Sequence, residues 1–329
     1  MRGGARLAGL ALTLVLSQAG LAGTGEAASS PVTVIAHRGA SGYLPEHTLE
    51  AYAYAYAAGA DFIEPDLVLT RDGVLVARHE PVLDATTDVS ARFPDRRADD
   101  GHFYTADLTW AELRSLRTVE TRPRRYPADL PGFDVPRLED IVALVDGLNR
   151  ATGCNVGLYP ELKWTAWHRA RGLDPVAALR ASLAARPFDG PLRIQSFEAP
   201  PLRELAQAPI PGATLVQLVE DATLLTDAAL ADVATYAQGL GPWLDQLAEA
   251  HAAGDDVVAR AHAAGLAVDA WTVRADQLGA FPDLESLLAF AVDELAVDGL
   301  FTDHPDLVRD RLEPHHRRPP CVLPRSPQP

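Results

Sequence analysis

Residues Val34–Glu80 read VIAHRGASGYLPEHTLEAYAYAYAAGADFIEPDLVLTRDGVLVARHE. Three apolar runs lie in this stretch, and each ends on polar chemistry. The first stops at His37-Arg38-Gly39. The second carries Glu64 and Asp66 two residues apart. An Asp72-Gly73 turn returns the chain through a third run to His79. Runs of this length rich in β-branched residues, bounded by Gly, Pro and Asp, predict strands. Two histidines, an arginine and two acids at strand ends predict a site for phosphate and metal.

Outward from that stretch, short apolar runs alternate with Ala/Leu-rich helical ones. Expected strands are Thr33–Ala36, Phe62–Leu69, Asn155–Leu162, Leu192–Gln195, Thr214–Val219, Tyr236–Leu240, Ala267–Val273 and Gly299–Phe301. Expected helices include Leu49–Ala58, Leu138–Leu148, Pro175–Ala184, Val257–Ala264 and one from Pro305. Val74–Arg78 is an extra returning strand. Repeated strand–helix alternation means parallel strands with crossover helices, and eight such units predict a TIM (β/α)₈ barrel. A doubly wound sheet is the second choice, weakened by the lack of a GxGxxG after the first strand. Residues 84–137, rich in Asp, Arg, Thr and Pro, read as an excursion after the second strand, with one short helix near Trp110–Leu116.

The chain has 329 residues, 47% of them hydrophobic, and a formal charge of −16. That charge repels a nucleic-acid backbone, so no nucleic-acid partner is expected. Residues 1–28 have the grammar of a signal peptide: Arg2 and Arg6, an apolar run Leu7–Leu16, then small residues with cleavage near Ala27 or Ala28. The run is too short to span a bilayer. The expected organisation is a signal peptide (1–28), a barrel domain (29–312) and a disordered Pro/Arg-rich tail (313–329). A secreted or periplasmic location follows, with no stable membrane insertion. The two cysteines, Cys154 and Cys321, could pair in an oxidising compartment. A homodimer is compatible with the sequence.

Residues two apart on a strand share a face, so Glu64 and Asp66 point together. Alone they are as readily a salt-bridged structural pair. Glu161, at the end of another strand, makes a third acid, and three convergent carboxylates repel one another unless a cation neutralises them. An all-oxygen set suits Ca²⁺ or Mg²⁺ rather than zinc. His37 and His79 fit an acid/base pair, and Arg38 can grip phosphate oxygens. Among 29 basic residues Lys163 is the one lysine. It lies two after Glu161, where a compact ammonium is not interchangeable with a guanidinium. Asp303, before Pro305, reads as a helix cap.

The motifs AHRGASGYLPEHT, Glu64-x-Asp66, His79, YPELK, QSF, AWTVR and GLFTDHPD together resemble the glycerophosphodiester phosphodiesterases, from about Val34 to Leu307. His47 and the segment Thr87–Arg96 resemble the periplasmic, calcium-dependent branch. The resemblance implies a TIM barrel that hydrolyses small-molecule glycerophosphodiesters to sn-glycerol 3-phosphate and an alcohol. It implies His37 and His79 as acid and base, Glu64, Asp66 and Glu161 as metal ligands, and Arg38 and Lys163 as phosphate ligands. It implies Glu46 as a supporting acid, and Phe197 and Trp271 as walls of the glycerol pocket. Glu80 departs from the family's usual Asp, and Pro65 removes a ladder N–H between the two acids. A phospholipid-cleaving lyase of related fold and a non-catalytic phosphodiester-binding protein are the competing readings.

Overall fold

The computed structural model describes Met1 and residues 32–313, except 123, 124, 128 and 131. The expected signal peptide beyond Met1, the tail from 314 and Cys321 lie outside the described residues. Cys154 is not a free thiol.

The described chain forms a closed parallel barrel. Its strands are β1 (Thr33–His37), β2 (Phe62–Glu64), β3 (Asp66–Leu69), β4 (Leu75–Ala77), β5 (Gly157–Leu158), β6 (Glu161–Leu162), β7 (Leu192–Ser196), β8 (Ala213–Val219), β9 (Gly239–Pro242), β10 (Ala267–Val273) and β11 (Gly299–Thr302). Two barrel positions are each split by a proline, which cannot donate to the ladder. Pro65 separates β2 from β3, and Pro160 lies between β5 and β6. With each split pair counted once, eight positions run parallel around the ring. β1 pairs with β11, which closes it, and β7 pairs with β8 over five residues. β4 is the exception, an antiparallel return beside β3 with Val68 opposite Val76. The expected strand Tyr236–Leu240 shifts to β9, Gly239–Pro242, because Tyr236 and Ala237 finish a helical turn by bonding back to Val233.

Helices shield the strands. Leu49–Ala57 starts at Thr48, whose hydroxyl accepts from Ala51 N at 3.1 Å. Leu138–Thr152 buries Leu138, Ile141, Val142 and Val145, the i, i+3, i+4, i+7 stripe of a core-facing helix. It stops at Gly153, whose φ of 71° is left-handed. Among the described residues no helix is long and apolar enough to cross a membrane.

Strand alternation sorts side chains between two cores. Val34 and Ala36 join the large layer between strands and helices. Ile35, Phe62, Tyr159, Val216 and Phe301 fill the barrel interior. Two residues on from four of these inward positions stand His37, Glu64, Glu161 and Asp303, so one period-2 register carries each strand from packed interior to polar mouth. The excursion has its own core, in which Leu83, Val89, Phe103, Leu108, Leu113 and Leu116 pack against Val68 and Val76 of the β3–β4 ribbon. Its expected helix is shorter than read, Trp110–Leu113, behind a capping box of Thr109 and Glu112.

Candidate active site

The strand ends converge on one cavity of about 550 Å³. His37, Arg38, Glu64, His79, Glu161, Lys163, Phe197 and Trp271 all line it. Asp66 and Glu46 stand directly behind, ion-paired with Arg38.

The turn after β1 sets the first side chains. Arg38 has a left-handed φ of 58°, and its N–H donates to Glu64 Oε2 at 2.7 Å. Gly39 follows at φ 84°, where a Cβ would meet the Ala51 backbone at 2.9 Å, so only glycine fits this turn. The Arg38 guanidinium reaches Glu46 Oε2 at 2.9 Å and Asp66 Oδ2 at 3.2 Å. Burial opposes ionisation of Glu46, but Arg38, His47, Arg78 and His79 together hold its carboxyl well below the usual range. His47 bonds Asp66 Oδ2 at 3.0 Å through Nε2 and the Tyr52 hydroxyl at 2.9 Å through Nδ1.

Glu64, Asp66 and Glu161 each offer an oxygen, and the three lie within 4.8 Å of one another. Burial pushes Glu64 up, and Asp66 and Glu161 push it further. Burial likewise raises Glu161, with Asp66 adding to it and Lys163 opposing. Asp66 is held low against its burial by Lys163, Arg38 and His47. Burial and mutual repulsion thus work against charge on both glutamates. Gln195 donates Nε2 to Glu64 Oε1 at 3.1 Å, and its own buried Oε1 has no hydrogen-bond partner among the described residues. Repelling carboxylates beside an orphaned amide oxygen make an all-oxygen donor set that a hard divalent cation fits. The triad can bind a metal.

Lys163 Nζ lies 3.1 Å from Glu161 Oε1 and 5.2 Å over the Phe197 ring. Phe197 meets Trp271 edge to face at 5.5 Å, and Trp271 stacks on Trp243 at 6.2 Å. The β3–β4 ribbon brings His79 over the mouth, where its Nδ1 lies 3.0 Å from Glu80 Oε1.

Asp303 departs from the reading as a helix cap. The helix Pro305–Leu312 has His304 at its cap position with no side-chain bond. Asp303 instead takes His37 Nδ1 at 2.7 Å, an imidazole–carboxylate pair. Its second oxygen accepts from Arg125 at 2.8 Å and Arg274 at 3.1 Å. Burial and the Arg38 charge push His37 down to about 3, although Asp303 opposes them. Burial also works against ionisation of Asp303, yet His37, Arg274 and Arg125 keep it well below the carboxylate range.

A model of the glycerophosphoryl diester phosphodiesterase family matches residues 37–307, which contain every residue of this site. The chain belongs to that family. This family member is 32% identical over 318 residues to the glycerophosphodiester phosphodiesterase of Haemophilus influenzae, covering 83% of this chain and 87% of the relative. It is 32% identical over 284 residues to that of Bacillus subtilis, covering 84% and 85%. A Silicibacter pomeroyi structure assigned to the glycerophosphoryl diester phosphodiesterases matches with a TM-score of 0.66 and 29% identity, covering 86% of this chain and 93% of that one. An Oleispira antarctica phosphodiesterase, solved with its product sn-glycerol-3-phosphate, matches with a TM-score of 0.60 and 23% identity, over 86% and 97% of the two chains. At that identity the second likeness is one of fold. The expectations of a TIM barrel and of a phosphodiesterase enzyme are borne out.

All ten of the expected site residues come together in this glycerophosphoryl diester phosphodiesterase. The additions are Asp303, Gln195, Arg125 and Arg274, with buried Arg78 behind Glu46. QSF and AWTVR contain Gln195 and Arg274 in the sequence, but nothing in their spacing says which side chains face the mouth.

Proposed function

We propose that this chain hydrolyses glycerophosphodiesters to sn-glycerol 3-phosphate and an alcohol, as a secreted enzyme using Ca²⁺, with Mg²⁺ the alternative ion, at Glu64, Asp66 and Glu161. The observation that carries the reading is the meeting of two histidines, three carboxylates and two cations around one cavity in a member of this family. The product held by the Oleispira phosphodiesterase supports a small phosphodiester substrate. Kinship with the calcium-dependent branch rests on Thr87–Arg96 and on His47, which here orients Asp66. Secretion rests on residues 1–28.

In this reading Arg38 and Lys163 bind the non-bridging phosphate oxygens, and Phe197 and Trp271 flank the glycerol. Asp303 accepts the Nδ1 proton of His37, which leaves a lone pair on Nε2. His37 is neutral at neutral pH, since burial and Arg38 hold it down to about 3, so it takes the proton of the nucleophile. His79, paired with Glu80 on the open side, gives a proton to the leaving alkoxide. One P–O bond forms, either directly to water or first to the glycerol 2-hydroxyl, giving a cyclic phosphate that water then opens to glycerol 3-phosphate. The P–O bond to the alcohol breaks. A bound divalent cation supplies Lewis-acid stabilisation of the charge developing on phosphate oxygens.

Release of glycerol 3-phosphate from glycerophosphocholine, glycerophosphoethanolamine, a polyglycerol phosphate and intact phosphatidylcholine tests this. Turnover of a soluble diester is expected. Absence of product from every soluble diester, or preference for the intact phospholipid, would sink it.

A further inference from the structure

The excursion packs mainly on its own core, yet Arg125 leaves it for the barrel mouth. Its side chain is 2% exposed. Nε and Nη2 grip Asp276 at 2.9 and 3.0 Å, Nη1 donates to Ser41 O at 2.9 Å, and Nη2 donates to Asp303 Oδ2 at 2.8 Å. Four of the five guanidinium N–H groups are thereby committed. They tie together the chain after β1, after β10 and at the end of β11.

We infer that Arg125 is a positioning residue for the reaction, acting through Asp303 on His37. This rests on the phosphodiesterase reading above. Asp303 Oδ1 holds His37 Nδ1 at 2.7 Å, while Oδ2 is fixed by Arg125 and, at 3.1 Å, by Arg274 Nε. A carboxylate anchored at one oxygen presents the other in a single direction, which fixes the imidazole plane and its tautomer. Arg125 is not among the residues lining the cavity, and its contacts place it behind Asp303. A mere fastener for the excursion would need only Asp276, whose side chain is 43% exposed; Asp303 is fully buried. The buried half of the contact is the half that reaches the imidazole. The residue that completes the His37–Asp303 pair thus comes from the segment inserted into the barrel.

The test compares Arg125→Ala with Asp276→Asn, which loosens the excursion and spares the Asp303 contact. Arg125→Ala is expected to lose about 10–100-fold in kcat with KM within about threefold, and added guanidinium is expected to restore part of kcat. Asp276→Asn is expected to keep kcat within about threefold, whatever it loses in thermal stability. The imidazole Nδ1–H proton resonance, assigned by its loss in His37→Gln, should move in Arg125→Ala and stay in Asp276→Asn. Unchanged kcat in Arg125→Ala overturns the inference, as does an equal loss in Asp276→Asn or an effect confined to KM. A wild-type chain inactive on every diester refutes the proposed activity instead. The resonance then decides alone: movement in Arg125→Ala supports the pin, and constancy refutes it.

Discussion

Asp303 Oδ1 and His37 Nδ1 are 2.7 Å apart although 266 positions separate the residues. Closure of the barrel makes them neighbours, since β1 pairs with β11 and Ala36 stands opposite Thr302. Asp303→Asn offers the imidazole an amide that can equally present its NH₂ group. Steady-state kinetics on glycerophosphocholine should show kcat reduced by about 10²–10⁴-fold with little change in KM. An unchanged kcat would remove His37 from the proposed base role.

Lys163 carries a second prediction. Its ammonium lies 3.1 Å from Glu161 Oε1 beneath the Phe197 ring, a space set for a compact charge. Lys163→Arg preserves the charge and changes its shape. A loss of roughly tenfold or more in kcat/KM is expected, and a larger one in Lys163→Met. Full activity in Lys163→Arg would show that any cation serves there.

The aromatic wall is separable from the proton chemistry. Phe197 and Trp271 meet edge to face at 5.5 Å. Trp271→Ala should raise KM more than it lowers kcat. A double-mutant cycle with Phe197→Ala should give a coupling of about 0.5–1.5 kcal/mol. Strict additivity would mean that the two rings act independently on the substrate.

Much of this site was legible because chemistry and strand register coincide. Glu64 and Asp66, two apart, and Glu161 and Lys163, two apart, announced their shared faces. The split at Pro65 left that intact, since Glu64 and Asp66 both reach the triad. Asp303 was misread because Asp-His-Pro before a helix is a good local capping signal, and local rules carry no information about which strands close a ring. Arg125 was illegible for a different reason. It lies in a segment without periodicity, and only the folded excursion brings it over the mouth.

Sensitivity to acid follows from a histidine buried in its neutral form. His168 Nε2 accepts the Leu69 N–H at 3.2 Å, which requires the neutral ring. Burial, aided by Arg171, lowers its pKa from 6.5 to about 4. Between these values the unfolded chain binds more protons than the folded one, so stability falls as pH drops from about 6.5 towards 4 and is flat above it. The contribution lost is on the order of 3 kcal/mol. Urea unfolding from pH 7.5 to 4.5 should show this slope, and His168→Gln should be less stable at pH 7 but less sensitive to acid. Identical slopes in the two proteins would contradict it.

In the proposed reaction the carboxylate triad works with a divalent cation. This is tested most directly by glycerol 3-phosphate release from glycerophosphocholine after exhaustive chelation, with metal removal checked by elemental analysis, and during titration back with Ca²⁺. Activity should vanish on chelation and return with Ca²⁺, and Asp66→Asn should need at least about tenfold more Ca²⁺. Full turnover by the metal-free enzyme would contradict the claim.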